Sequence, residues 1–163
     1  MKSFIITLTL AIVLATTAQA QNFNNIYKKY KKQDDVTAIK INKLGCMLVA
    51  LFGSSDDEGT QFLKKSSNIR ILVNESSNKS ELAKDLEKYI RKSNLEQLMS
   101  VKDDEDTVDI YVLDKNETIH ELLIVVNDKE EQVIVHLDGK YPLKMIKEMM
   151  SGENGAKKIK AKL

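Results

Sequence analysis

The chain has 163 residues, 42% hydrophobic and 30% charged, with 25 basic and 24 acidic side chains, one cysteine and no tryptophan. That length fits one domain with an apolar core. Near-balanced charge leaves no broad basic footprint for nucleic acid, and a lone cysteine excludes an internal disulfide.

The first twenty residues, MKSFIITLTLAIVLATTAQA, divide into a positive start at Lys2, an apolar run from Phe4 to Leu14, and a small-x-small ending at Ala18-Gln19-Ala20. This three-part pattern is that of a secretory signal peptide, 1–20, removed before Gln21. The apolar run, interrupted by Thr7 and Thr9, falls short of the roughly 20 residues that span a bilayer. The expected product is exported, periplasmic or extracellular, soluble and without a stable membrane anchor. Loss of Lys2 leaves basic and acidic residues equal in number. Leu44-Gly45-Cys46 resembles an acylation signal, but Lys40, Asn42 and Lys43 precede it where an apolar segment is required.

Phe23, Ile26, Tyr27 and Tyr30 share one face of a short amphipathic helix. Val36 to Ile41 alternates as a strand. Leu44 to Phe52 is apolar throughout and reads as a buried helical segment closed by Gly53, holding Cys46 as an inert thiol. An acidic loop, Ser54 to Gly59, precedes one or two helical turns over Gln61 to Ser67. Ile69 to Val73 is a second strand. Asn78 with Glu81 forms a capping-box spacing, and Leu82, Leu86, Tyr89 and Ile90 give the buried face of the helix that follows. Gln97 to Val101 then reads as the returning strand of a crossover unit, before an acidic turn at Asp103 to Asp106.

Thr107 to Leu137 is a meander of three apolar, β-branched runs. Pairing Ile110 with Leu122 and Ile124 with Val133 implies a three-residue loop, Lys115-Asn116-Glu117, and a two-residue turn, Asp128-Lys129. Ile110, Leu122, Ile124 and Val135 then share a buried face. Gly139 ends the last strand, Pro142 opens a helix with Leu143, Ile146, Met149 and Met150 inward, and Gly152 closes it. The expected architecture is α+β: one mostly antiparallel sheet of about five or six strands with helices packed on one face, over a single domain 21–152, followed by a basic disordered tail, 153–163.

Chemistry is sparse. In that register His120 pairs with Leu137 and His136 with Glu121, so the two imidazoles point to opposite faces and share no metal. Glu121 and His136 are left as the one candidate functional pair. Asp56-Asp57-Glu58 and Asp103 to Asp106 lack the alternating spacing of a calcium loop. No nucleophile elbow, catalytic cysteine or phosphate loop is present, so neither a catalytic residue nor a cofactor nor a metal is expected. Asn74, Asn78 and Asn116 fit the N-glycosylation pattern.

The succession LGCMLVALF, IRILV, a leucine-spaced helix, LEQLMSVKDDEDTVDIYV and IHELLIVVNDKEEQVIVHLDG resembles the domain of unknown function 4252 family, small exported proteins mainly from Bacteroidetes. The run from Leu98 to Leu123 carries most of the likeness. The resemblance implies an envelope-exported α+β domain without assigned activity or catalytic residues, and a setting of envelope signalling. The expected function is a non-enzymatic interaction module of the cell envelope with a protein partner. The alternatives are a carrier of lipid or another small apolar ligand, with a cavity between the sheet and the Met-bearing helices, and a hydrolase or transferase using carboxylates such as Asp103, Asp104 and Asp106.

Overall fold

Six segments rich in β-branched and apolar residues form one antiparallel sheet, its strands lying in the order β1 (Val36–Asn42), β2 (Ser66–Asn74), β6 (Gln132–Pro142), β5 (Thr118–Asn127), β4 (Asp106–Lys115) and β3 (Glu96–Asp103). A computed structural model describes residues 22–52, 58–76 and 79–151. The elements are α1 (Phe23–Tyr30), β1 (Val36–Asn42), α2 (Lys43–Phe52), α3 (Glu58–Lys65), β2 (Ser66–Asn74), α4 (Lys79–Lys92), β3 (Glu96–Asp103), β4 (Asp106–Lys115), β5 (Thr118–Asn127), β6 (Gln132–Pro142) and α5 (Leu143–Ser151). The signal-peptide segment, the loop at Gly53 to Asp57, the Asn78 cap, Gly152 and the basic tail lie outside the described residues, as do the side chains of Met149 and Met150.

The sheet is α+β as expected, but helices cover both of its faces rather than one. Successive residues of β5 show why. Leu123 and Val125 pack with Leu72, Ile134 and the inward faces of α1 and α4. Leu122, Ile124 and Val126 point the other way, into a second core with Cys46 of α2, Phe62 of α3 and Ile146 of α5. A strand buried on both sides loses the polar alternation that would have announced a second layer. Ile110 and Leu122 are buried as expected, and Ile124 and Val135 pack half-buried beside them.

The first face is built by two amphipathic helices. Asn22 caps α1, its side chain accepting the Asn24 N–H at 3.0 Å. Helix α4 ends in a Schellman motif: Asn94 adopts φ 52°, Leu95 N–H reaches Ile90 O at 3.0 Å and Asn94 N–H reaches Arg91 O at 3.4 Å. Lys29 joins the helices through Glu81 at 2.8 Å and Asp85 at 2.7 Å, and the Tyr30 hydroxyl donates to Asp85 at 2.9 Å. Burial, reinforced by Asp85, pushes the Tyr30 hydroxyl up to about 12.

The link β2–α4–β3 does return a strand parallel to β2, since four antiparallel pairings separate them. It returns at the far edge, however, with β6, β5 and β4 in between.

Both meander registers differ from expectation by two residues. Ile110 faces Ile124, Val112 faces Leu122, and Ile124 faces Val135. The first hairpin closes from Lys115 to Thr118 around Asn116 and Glu117, at φ 54° and 60°, the twist-matched two-residue turn. The second opens into four residues because the Asp128 carboxylate accepts the N–H groups of Glu130 (2.7 Å) and Glu131 (2.8 Å). Those backbone bonds, Glu131 first, hold the Asp128 carboxyl below the usual carboxylate range. An even shift keeps Ile110, Leu122, Ile124 and Val135 on their expected face, so the core survives the misplaced register; only beyond the bulge at His120 does the alternation flip, turning Ile119 into the core beside Leu122.

Gly139 does not end β6. The strand runs on to Pro142, and Tyr141 folds its ring back over Gly139, where a Cβ would lie 2.4 Å from the ring. The Tyr141 hydroxyl donates to Ser66 Oγ at 2.9 Å.

Candidate functional site

Glu121 and His136 do meet, though not as direct partners. Glu121 faces Asp138, while His136 faces Leu123 on one side and Arg70 on the other. The pair closes diagonally, with His136 Nε2 2.7 Å from Glu121 Oε1. Two residues that the sequence reading passed over complete the cluster. Arg70 Nη1 donates to Asp138 Oδ2 at 2.7 Å and lies 3.2 Å from His136 Nδ1. Arg70 was concealed in the apolar strand IRILV; a lone arginine there requires a buried anion, which is the signal that could have found it.

Guanidinium groups only donate. The Arg70 contact therefore needs the lone pair of His136 on Nδ1, which leaves the ring hydrogen on Nε2, aimed at Glu121. Phe23 stacks on the imidazole with centroids 4.1 Å apart and planes 2° apart, and the Tyr89 hydroxyl lies 3.3 Å from Nε2. His136 is 1% exposed. Both ring nitrogens are occupied and one ring face is covered, so the imidazole presents no lone pair to a substrate.

Ligand atoms of Glu121, His136 and Asp138 lie within 4.8 Å of one another, the one metal-capable group among the described residues. The donor set argues against a cation in this arrangement. A metal on Nε2 would move the ring hydrogen to Nδ1, where metal-bound histidines hold an acceptor; here Nδ1 meets the donor Arg70. The cluster works instead as a salt-linked network that orders three strands beneath α1, with Arg70 Nε buried and unpartnered. His120 takes no part: it is passed over in the pairings of β5 with both β4 and β6, at a bulge.

The acidic turn at Asp103 to Asp106 lines an open surface depression of ≈ 560 Å³ with Lys129, whose ammonium lies 3.0 Å from Glu105. A second open depression, ≈ 460 Å³, adjoins Glu117, Pro142 and the start of α5. Asn74 is 1% exposed and accepts from Ser76, so it is no attachment point for a sugar.

Helix α2 departs most from expectation. Lys43–Phe52 is helical, but the segment is not buried. Its small residues face the sheet: Cys46 and Ala50 are buried, and Gly45 comes so near that a Cβ would meet Ile41 Cγ2 at 2.8 Å. Burial pushes the Cys46 thiol up, away from reactivity. Its large residues point outward. Leu44 is 65% exposed, Met47 50%, Leu48 48% and Leu51 75%. These four recur at i, i+3, i+4 and i+7, a continuous apolar stripe. Ile39, 46% exposed on edge strand β1, shares the α2 face of the sheet with Ile41.

From Tyr30 through α2, the polar cluster and most of α5, residues 30–149 match the family described as a domain of unknown function, DUF4252. The chain belongs to the DUF4252 family. No curated protein matches it. The family match spans both the α2 stripe and the Arg70–His136–Glu121–Asp138 network of this DUF4252 domain, and it leaves out Phe23, the ring that covers His136.

Proposed function

We propose that this DUF4252 domain is a non-enzymatic interaction module, exported to the cell envelope, that binds a protein through the outward stripe of α2. The inverted helix carries the reading. A helix apolar on all sides is ordinarily buried, and here the larger side chains are the ones left in water. Contiguous exposed apolar surface of this kind marks association surfaces. Export rests on the three-part pattern of Met1 to Ala20. The occupied imidazole and the open depressions give the hydrolase and carrier alternatives no comparable support. Envelope signalling through a docked partner is the role such a surface would serve.

The test is photo-crosslinking in the envelope with a photoreactive residue at Leu51, and at exposed Lys102 on β3 as control. The reading predicts a discrete protein adduct from position 51 and none from 102. Adducts from neither position, or equally from both, would contradict it.

A further inference from the structure

The two edges of the sheet are not alike. Strand β3, at one edge, carries Glu96, Gln97, Ser100, Lys102 and Asp103 in exposed positions and a register break between Gln97 and Met99. Charges and bulges blunt an edge against pairing with another chain. Strand β1, at the other edge, pairs with β2 through seven successive residues without a break, and Lys40 is its only charged residue. Among the described residues no strand pairs with its outer side. Ile39 stands at its centre and begins an apolar row, Ile39-Ile71-Val135-Ile124-Ile110-Met99, that crosses all six strands.

We propose that the β1–α2 edge is a two-fold interface with a second copy of this chain, joining two six-stranded sheets into one. This rests on the interaction reading above and names its partner. Antiparallel pairing of β1 with its twin keeps like faces together only when directly opposed residues share a face. Centred on Ile39, it sets Ile39 against its own twin, Thr37 against Ile41 and Ala38 against Lys40. Centred on Lys40, it would oppose two like charges, and centred on Ala38 it would set Ile41 against Asp35; both are disfavoured. The Ile39 register makes the apolar row continuous through the dimer. It also brings both α2 helices to the same side of the joined sheet, flanking the axis, where, on this proposal, their outward leucines meet one another.

The area suffices. At their observed exposures, Ile39 and the stripe residues Leu44, Met47, Leu48 and Leu51 leave on the order of 500 Å² uncovered per copy, so two copies reach roughly the 1,000 Å² total that a specific interface needs. No charged residue interrupts α2 after Lys43. An uncharged, self-complementary stripe suits an isologous contact.

Sedimentation velocity on the exported chain, up to about 100 µM, tests the proposal, because a micromolar dimer is almost wholly associated there. The dimer mass is expected for the wild type, with Leu48→Gln and Leu51→Gln each weakening association by roughly tenfold or more. As a check independent of stability, Ile39→Cys should oxidise to a covalent dimer, since directly opposed strand residues meet disulfide geometry, whereas Ser100→Cys on β3 should not. A wild-type monomer at the highest concentration would overturn the proposal. So would a dimer indifferent to Leu48 and Leu51 that fails to cross-link through Ile39→Cys. If the chain is monomeric while position 51 captures a different protein in the envelope, the self-pairing falls and the interaction reading stands. If position 51 captures nothing, both fall.

Discussion

The two faces of the sheet show opposite ways of using a helix. On one face, α1 and α4 turn phenylalanine, tyrosines and leucines inward and leave lysines and carboxylates in water. On the other, α2 turns glycine, cysteine and alanine inward and leaves leucines and a methionine in water. The first face is explained by folding alone: burying large side chains stabilises by about 1.5–3 kcal/mol each. The second is not, because α2 forgoes that gain for its largest residues. The docking role proposed above rests on that unburied apolar surface.

The largest effects belong to the strands that feed both cores. Leu122→Ala and Leu123→Ala, neighbours pointing to opposite faces and 6% and 0% exposed, should each cost about 2–5 kcal/mol in urea denaturation. A loss below about 1 kcal/mol for Leu122→Ala would mean that the α2 face is not a true core.

Next in size is the polar network. Glu121→Ala strips the Nε2 side of His136 of its carboxylate while the ring stays under Phe23. The Glu121 side chain is only 14% exposed, so the pair is a buried one. Losing that acceptor leaves the buried Nε2–H unsatisfied and should cost about 1–3 kcal/mol, where a single-layer sheet with an exposed pair would give under about 1 kcal/mol. Equal stability of wild type and variant would show that the network orders nothing.

A smaller effect comes from the clasp between α1 and α4. Burial raises the Asp85 carboxyl, but hydrogen bonds from Lys29 and Tyr30 outweigh it and hold the group below its usual value. A depressed carboxylate contributes stability above its unfolded pKa, near 3.9, and loses it as pH falls through the folded value. The Asp85 side chain is 27% exposed, so the contribution is discounted to under about 1 kcal/mol. Urea denaturation between about pH 6 and pH 3 should show a shallower decline for Asp85→Asn than for the wild type. Parallel declines would remove the clasp from the account.

Most of the architecture was legible in the residues. Helical spacing at Phe23 to Tyr30 and at Leu82 to Tyr89 survives because both helices have one face in water, which preserves the period. The meander was recognisable from β-branched runs, while its register was not. Turn width depended on two left-handed residues, Asn116 and Glu117, and on the Asp128 carboxylate, all of them matters of local geometry. The second helical layer was hidden because β5 and β6 are apolar on both sides. Of the candidate site, Glu121 and His136 could be paired from the sequence only through a register two residues off. Arg70 and Asp138 come from strands whose adjacency no local pattern reveals. The exposure of α2 was unreadable for a plain reason: an apolar helix packed in a core and one turned toward a partner have the same composition.

The central claim is that the large side chains of α2 are not part of this domain's own core. Its most direct test is the stability of the double variant Leu48→Gln, Leu51→Gln, measured by urea denaturation at a protein concentration low enough for the chain to be monomeric. Leucine and glutamine have nearly equal helix propensity, so only lost packing can register. The account predicts a change within about 0.5 kcal/mol of wild type. A loss of several kcal/mol would place those leucines in a core and contradict it.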